Sequence, residues 1–377
     1  MTAHALLSAS GSKRWLSCTP SAKLEATLPE QKRATGAFDF SQEGTMAHSF
    51  AEAKLRLYFN QIGTEEYESD YKKIQETPYY NDDFEAHVDS YVLYVRSQIG
   101  EGDTPLFEQR VDFSDWVPDG FGTADVVILS KHTIRVIDLK FGKGVPVHAQ
   151  DNTQLRLYAL GAYSKFKEEY PELKEVSYTI HQPRLDSIST DGTTIAKLVD
   201  WANYFVKPKA KKAWSGAGEF LPGEWCGFCR AKAQCRARSD YNTELAKQDF
   251  KNPRLLSEEE VSEVLVKAQN LRTWVNDVEE FALNRAVDQG VIPPGYKLGM
   301  TVTHRKISDS QLAATVLVEK GMSPEVIWEQ PKLKSISVLE KLGPKGQVVS
   351  WLGELVQRPE GAPKLIRSKE DAKEDFA

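Results

Sequence analysis

The stretch GTADVVILSKHTIRVIDLK, residues 122–140, holds two runs rich in β-branched residues, parted by the turn-forming SKH at 130–132. Such runs read as strands of a hairpin. Asp125 falls near the start of the first strand, and Asp138 and Lys140 near the end of the second. Side chains alternate along a strand, so Asp138 and Lys140 point to one face and Leu139 to the other, and a hairpin can bring Asp125 beside them. PLFEQRVDF at 105–113, followed by the turn signal PDGFG at 118–122, adds a preceding strand and makes a three-strand meander.

Outward from the meander the pattern becomes helical. DDFEAHVDSYVLYVRSQI at 82–99 places Phe84, Val88, Tyr91, Val92 and Val95 on one stripe, and GTMAHSFAEAKLRLYF predicts a helix from about Thr45. AQDNTQLRLYALGAYSKF restores a helix at 149–166, and EVSYTIHQPRL a fourth strand at 175–185. Helix, three strands, helix, strand is the order of an α/β layer architecture with one mixed sheet. Residues 198–214 read as helical and contain the basic run KPKAKKAW, either a solvated lysine face or a phosphate-contacting one. Beyond KNPRLLSEEE a new unit begins, and Ser257 followed by acidic residues marks a helix start that runs to about Asp288. SDSQLAATVLVEKG and SISVLEKLG are the clearest helices of the remainder, and no internal repeat is visible. The expected domains are 1–245, a C-terminal helical or α+β unit at 250–360, and a flexible charged tail at 361–377.

With 377 residues the chain can bury two cores, and its 41% hydrophobic and 27% charged residues suit a soluble globular protein. No apolar run is long enough to span a bilayer, and the start lacks the order of a signal peptide, so a cytoplasmic protein with no membrane partner is expected. A formal charge of −6 requires any nucleic-acid contact to use a local basic groove. Four cysteines in a reducing compartment argue against a disulfide framework.

The two carboxylates offer the oxygen ligands that Mg²⁺ or Mn²⁺ prefers beside substrate phosphate. Lys140 can orient an attacking water or neutralise developing negative charge. His48 and Glu52 lie four residues apart on one helix face, and Glu108 on the first strand is a further candidate ligand. Tyr158 sits in an apolar helical stripe, and Arg184 follows the last strand, where a phosphate contact and an ordinary exposed arginine are both open readings.

These segments together resemble the PD-(D/E)XK nuclease superfamily, in particular its RecB-like exonuclease branch. Four separated motifs carry the likeness in order: Gly44, Thr45, His48 and Glu52; Gly122 and Asp125; Asp138 and Lys140; Gln154 and Tyr158. The resemblance implies a restriction-endonuclease-like core in which His48, Asp125, Asp138 and the main-chain carbonyl of Leu139 hold Mg²⁺ or Mn²⁺. It also implies that Lys140 assists the water and that Gln154 and Tyr158 position substrate or site groups. Ala124 replaces the proline of the family name, and the second acid is aspartate, changes the RecB-like branch tolerates.

Cys226, Cys229 and Cys235 form a C-x2-C-x5-C array, and Cys18 is the remaining cysteine. Read alone, the array fits zinc, redox exchange or a structural role. One cysteine before the core and three after it resembles the iron–sulfur, AddB-type members of the same branch, which implies a [4Fe-4S] cluster at Cys18, Cys226, Cys229 and Cys235, with Zn²⁺ the alternative. Closing that loop around the core would staple it. Arg230 and Lys232, with Arg236 and Arg238, are candidate DNA contacts or solubilising charges.

The resulting expectation is a metal-dependent DNA exonuclease acting on ends or single strands in recombination or repair, with a non-catalytic DNA-binding scaffold as the alternative. No Walker A sequence is present, so an ATP motor would be a partner. A single-strand-binding or annealing protein is a further candidate partner. The whole chain also resembles bacteriophage members of this group, which implies the cytoplasm of a bacterial host.

Overall fold

Five strands, β1 (Thr104–Asp112), β2 (Phe121–Leu129), β3 (Thr133–Leu139), β4 (Glu175–Gln182) and β5 (Ser187–Thr194), form one sheet in sequence order. The first three pair as an antiparallel meander, β3 and β4 are parallel, and β4 and β5 close antiparallel. Parallel neighbours need a crossover, supplied here by a helix at Thr153–Phe166. This is the mixed α/β layer architecture expected from the sequence, seen in a computed structural model that describes residues 5–28, 40–243 and 257–298.

The described helices, in chain order, are α1 (Ser12–Ser17), α2 (Ser21–Ala26), α3 (Phe40–Tyr58), α4 (Thr64–Gln75), α5 (Asp82–Ser97), α6 (Thr153–Phe166), α7 (Ile195–Trp201), α8 (Lys207–Ser215), α9 (Arg236–Thr243) and α10 (Glu258–Gln289). Local chemistry sets several of their starts. Asn81 accepts the Phe84 N–H to cap α5, and Asn152 accepts that of Leu155 to cap α6. Ser257 and Glu260 form a reciprocal capping box at α10, the start read from the sequence.

The sheet separates two cores. On one side Phe50, Val88, Tyr91 and Phe84 of α3 and α5 pack with Val126, Ile128, Ile137 and Leu139 of β2 and β3. On the other, α6, α7 and α8 pack with α1, α2 and the alternate strand residues Val127, Leu129, Ile134 and Val136. The buried α5 residues are the five named from periodicity.

Strand β5, helix α4 and the short helices α1, α2 and α9 lie beyond the sequence reading. Strand β5, SISTDGTT, carries one large apolar residue, and its identity as a strand comes from pairing along the edge of β4. Helix α4, TEEYESDYKKIQ, buries only Ile74 fully and packs against α3. Contacts divide the chain into two compact units, Met1–Val291 and Ile292–Ala377. The expected boundary near 245–250 falls inside the first unit, where Asp277 of α10 pairs with Arg238 and Lys232 at 2.6 Å each. The helices expected at 308–321 and 335–343 and the tail at 361–377 lie outside the described residues.

His181 of β4 is 3% exposed, beside the rings of Tyr91 and Tyr94, and burial pushes its pKa down from 6.5 to about 4. The folded state therefore favours neutral imidazole, so its contribution is present above about pH 6.5 and lost as the pH falls towards 4. Over that window the wild type should lose on the order of 3 kcal/mol more stability than His181→Leu, measured by urea unfolding at stepped pH. Parallel pH profiles for the two proteins would contradict this.

Candidate metal centre

The site is built where the ladder of the meander fails. Pairing of β1 with β2 runs through Phe107↔Val126 and resumes at Gln109↔Ala124, skipping Glu108 and Asp125, which face each other across the gap. Pairing of β2 with β3 likewise stops at Val126↔Ile137. Strict alternation would put Ala124 and Val126 on one face, yet Ala124 belongs to the α6-side core and Val126 to the α3-side core. Both strands therefore change phase at this pair. Glu108 absorbs the change with a left-handed φ of 45°, a conformation that costs a non-glycine residue about 1–3 kcal/mol.

The break aims side chains at one point. Asp125 Oδ2 accepts the backbone N–H of Leu139 at 2.7 Å, replacing a lost ladder bond, and lies 3.3 Å from His48 Nδ1 on α3. One ligand atom each from His48, Glu108 and Asp125 lie within 4.8 Å of one another. Asp138, 2% exposed, projects on the α6 side, where Lys140 Nζ is 2.9 Å from its Oδ2 and Gln154 Nε2 donates to its Oδ1 at 3.1 Å. Gln154 also accepts from Lys140 at 3.2 Å and donates to the Tyr158 hydroxyl at 3.2 Å. Tyr158 thus packs in the core and touches the site. It lies so close over β2 that a Cβ on Gly122 would meet its ring at 2.8 Å, which accounts for glycine at that place.

The electrostatics at this point favour positive charge. Burial alone disfavours the imidazolium, yet Asp125, helped by Asp138 and Glu108, raises the His48 pKa to about 9. Burial and then repulsion from Asp125 lift Glu108 to about 7. Burial opposes ionisation of Asp125, but His48 and Lys140 outweigh it and hold its pKa low. For Asp138, burial and Asp125 together outweigh Lys140 and raise it. Protons on His48 and Glu108 supply positive charge that a divalent ion would supply instead. The donor set of carboxylates and one imidazole fits Mg²⁺ or Mn²⁺.

Other predicted residues lie elsewhere or are already engaged. Glu52 pairs with Arg56 at 2.9 Å and lines a cleft between α3 and α4. Arg184 pairs with buried Glu43 at 2.7 Å and lies over the Phe141 ring, tying α3 to the end of β3. Arg230 donates to Leu28 O, and Lys232 pairs with Asp277. The Leu139 side chain is fully buried, and its amide is the one bound by Asp125.

Cys18, Cys226, Cys229 and Cys235 line one cavity together with Arg14, Trp225 and Arg238. Backbone amides of Leu221, Gly223 and Ala231 approach Cys18, Cys226 and Cys229 respectively, and burial pushes the Cys229 thiol up to about 12. Among the described residues no three of these sulfurs lie within 4.8 Å of one another. Tetrahedral zinc needs thiolates roughly 3.8 Å apart. Around the cavity, Glu25 accepts from Arg14 and from the Arg230 amide, joining α2 to the cysteine segment.

The left-handed backbone at Glu108 separates fold from chemistry. Glu108→Gly should be about 1 kcal/mol more stable than Glu108→Gln, since glycine adopts that φ without strain, while both bind Mn²⁺ more weakly than wild type. Chemical denaturation and calorimetric Mn²⁺ titration read the two effects separately. Equal stability of the variants, or undiminished Mn²⁺ affinity, would contradict the assignment.

Among solved structures, one titled "Crystal structure of SSO0001" matches at 16% identity over 58% of this chain and 95% of that chain. Its TM-score of 0.23 is too low to support a conclusion about fold or activity. The matching family model runs from residue 4 to residue 374, and the chain belongs to that family, described as "Protein of unknown function (DUF2800)".

Proposed function

We propose that this protein is a divalent-metal-dependent deoxyribonuclease of the PD-(D/E)XK superfamily, close to its RecB-like branch. The observation that carries the reading is the convergence of His48, Glu108 and Asp125 at the ladder break, beside an Asp138–Lys140–Gln154 hydrogen-bonded group. When bound, Mg²⁺ or Mn²⁺ supplies charge neutralisation at a phosphoryl oxygen and acidifies water.

The chain's own residues divide the remaining work. His48, Glu108 and Asp125 would hold the ion, with Asp138 next to them. Burial disfavours the Lys140 ammonium, but Asp138 and Asp125 more than compensate and raise its pKa. Lys140 therefore stays protonated and orients water or meets charge growing on the phosphate, rather than accepting a proton. Gln154 holds Lys140, Asp138 and Tyr158 in one arrangement through both ends of its amide. Water oxygen attacks phosphorus and gives up a proton to solvent, the phosphorus–oxygen ester bond breaks, and the departing sugar oxygen takes up a proton from solvent.

The cysteine cavity supports a second part of the proposal, a four-iron cluster that joins both ends of the nuclease unit. Thiolate ligands suit such a cluster, which is wider than one ion, and backbone amides directed at the sulfurs tune it. Its role is to staple Cys18 to Cys226, Cys229 and Cys235 around the core. DNA is the proposed substrate, in the cytoplasm of a host cell, with a single-strand-binding or annealing protein as a proposed partner.

Anaerobically purified protein should be brown, contain iron and sulfide, and degrade end-labelled DNA with Mg²⁺ or Mn²⁺. Asp125→Asn, Asp138→Asn and Lys140→Ala should each reduce the rate by at least about a hundredfold. Wild type as inactive as Lys140→Ala on single- and double-stranded DNA would sink the catalytic reading. Colourless, zinc-bearing protein would sink the cluster.

A further inference from the structure

Helices α7 and α8 form one continuous rod interrupted by a π-turn at Ala202–Val206. Pro208 gives the interruption a cause, because it has no N–H for the Tyr204 carbonyl and its ring would clash there. Such turns are frequent at functional sites. This one presents Tyr204, 81% exposed, and Phe205, 42% exposed.

The aromatic groups are organised rather than scattered. Arg156 of α6 lies 5.6 Å from the Trp201 ring, Trp201 stacks on Phe205 at 6.3 Å, and Lys209 Nζ sits 4.3 Å over Phe205. Trp116, from the β1–β2 connection, donates to Asn203 Oδ1 at 2.9 Å and fixes the turn against the sheet. Lys207, Lys211 and Lys212 are exposed beside them, and among the described residues no ion pair holds these three or Lys209. Burial and the neighbouring Lys212 lower the Lys209 pKa, as expected where positive charge lacks a counter-charge. In a chain of net charge −6 this is a local excess of the opposite sign.

The rod also leads towards the candidate centre. It begins where Ile195 N bonds Lys174 O, beside the start of β4, and ends packed against α1 and α2. Ser12 of α1 is bonded at 2.6 Å to Thr153, next to Gln154 at the head of α6.

We infer that Tyr204, Phe205, Lys207 and Lys211 form a binding face for single-stranded nucleic acid, with bases stacked on the rings and phosphates on the lysines. Stacking tolerates any base sequence but requires exposed base faces, which a duplex hides. As a statement about the enzyme's substrate this rests on the nuclease reading; as a statement about binding it stands alone.

Fluorescence anisotropy of the full chain with labelled oligothymidylate, with chelator present to prevent cleavage, tests it. Single strands should bind at least about tenfold tighter than a blunt duplex, and Tyr204→Ala/Phe205→Ala should weaken them about tenfold or more without altering the salt slope. Tyr204→Phe should retain binding. Lys207→Gln/Lys211→Gln should instead reduce the slope of log affinity against log salt by about 1.4. Unchanged melting temperatures would confirm that the variants remain folded. Equal affinity for duplex, no effect of the double alanine variant, or equal displacement of the strand by phosphatidylserine vesicles would overturn the inference. Binding that survives when the wild type fails to cut DNA with Mg²⁺ would leave this face standing and sink only the nuclease reading.

Discussion

Asp125 accepts the backbone N–H of Leu139, a donor that an uninterrupted β2–β3 ladder would have satisfied with a carbonyl. That exchange lets the sheet open at its end without leaving a buried donor unpaired. It also fixes the carboxylate against β3 and turns it towards His48. On the other side of β2 the same opening forces Glu108 into a left-handed conformation. The strain, the raised Glu108 pKa and the raised His48 pKa are consequences of one arrangement, in which acidic groups are gathered at the end of the sheet. Without a cation the cluster is stabilised by protons and by Lys140, whose ammonium is pinned between Asp138 and Gln154.

Much of this was legible in the sequence because it follows from period-two alternation and cap chemistry. The meander, the crossover helix and the α5 stripe all appear where the pattern places them. Asp138 and Lys140 share a face as alternation requires, and Gln154 in the first turn of α6 reaches both. The phase change at Glu108 and Asp125 was not legible. Alternation alone places Asp125 on the α6 side, and only the paired break in two ladders turns it towards α3. Strand β5 and helix α4 escaped for another reason: each has few apolar residues and takes its form from the neighbour it packs on. Arg184, Arg230 and Lys232 have the charge to contact phosphate, but the fold has given them protein partners that local sequence does not reveal.

The first helices and the cysteine segment are joined by chemistry of a different kind. Glu25 binds Arg14 and the Arg230 amide, bringing the first helices to the cysteine segment. The four cysteines line one cavity beside this network, with amides directed at three of the sulfurs. A staple there would tie together segments on either side of the elements, α3, β1, β2, β3 and α6, that supply the candidate metal centre. The basic, aromatic π-turn lies on the α6 side of the sheet, the side on which Asp138, Lys140 and Gln154 meet, whereas His48 approaches the site from the α3 side.

Anomalous diffraction from crystals soaked in Mn²⁺ would locate an ion at the break in the sheet most directly. A manganese peak should appear bounded by His48 Nδ1, Glu108 and Asp125, with His48 and Asp125 no longer paired through a proton. A well-ordered site with no peak there, and with the His48–Asp125 and Lys140–Asp138 pairs unchanged, would contradict it.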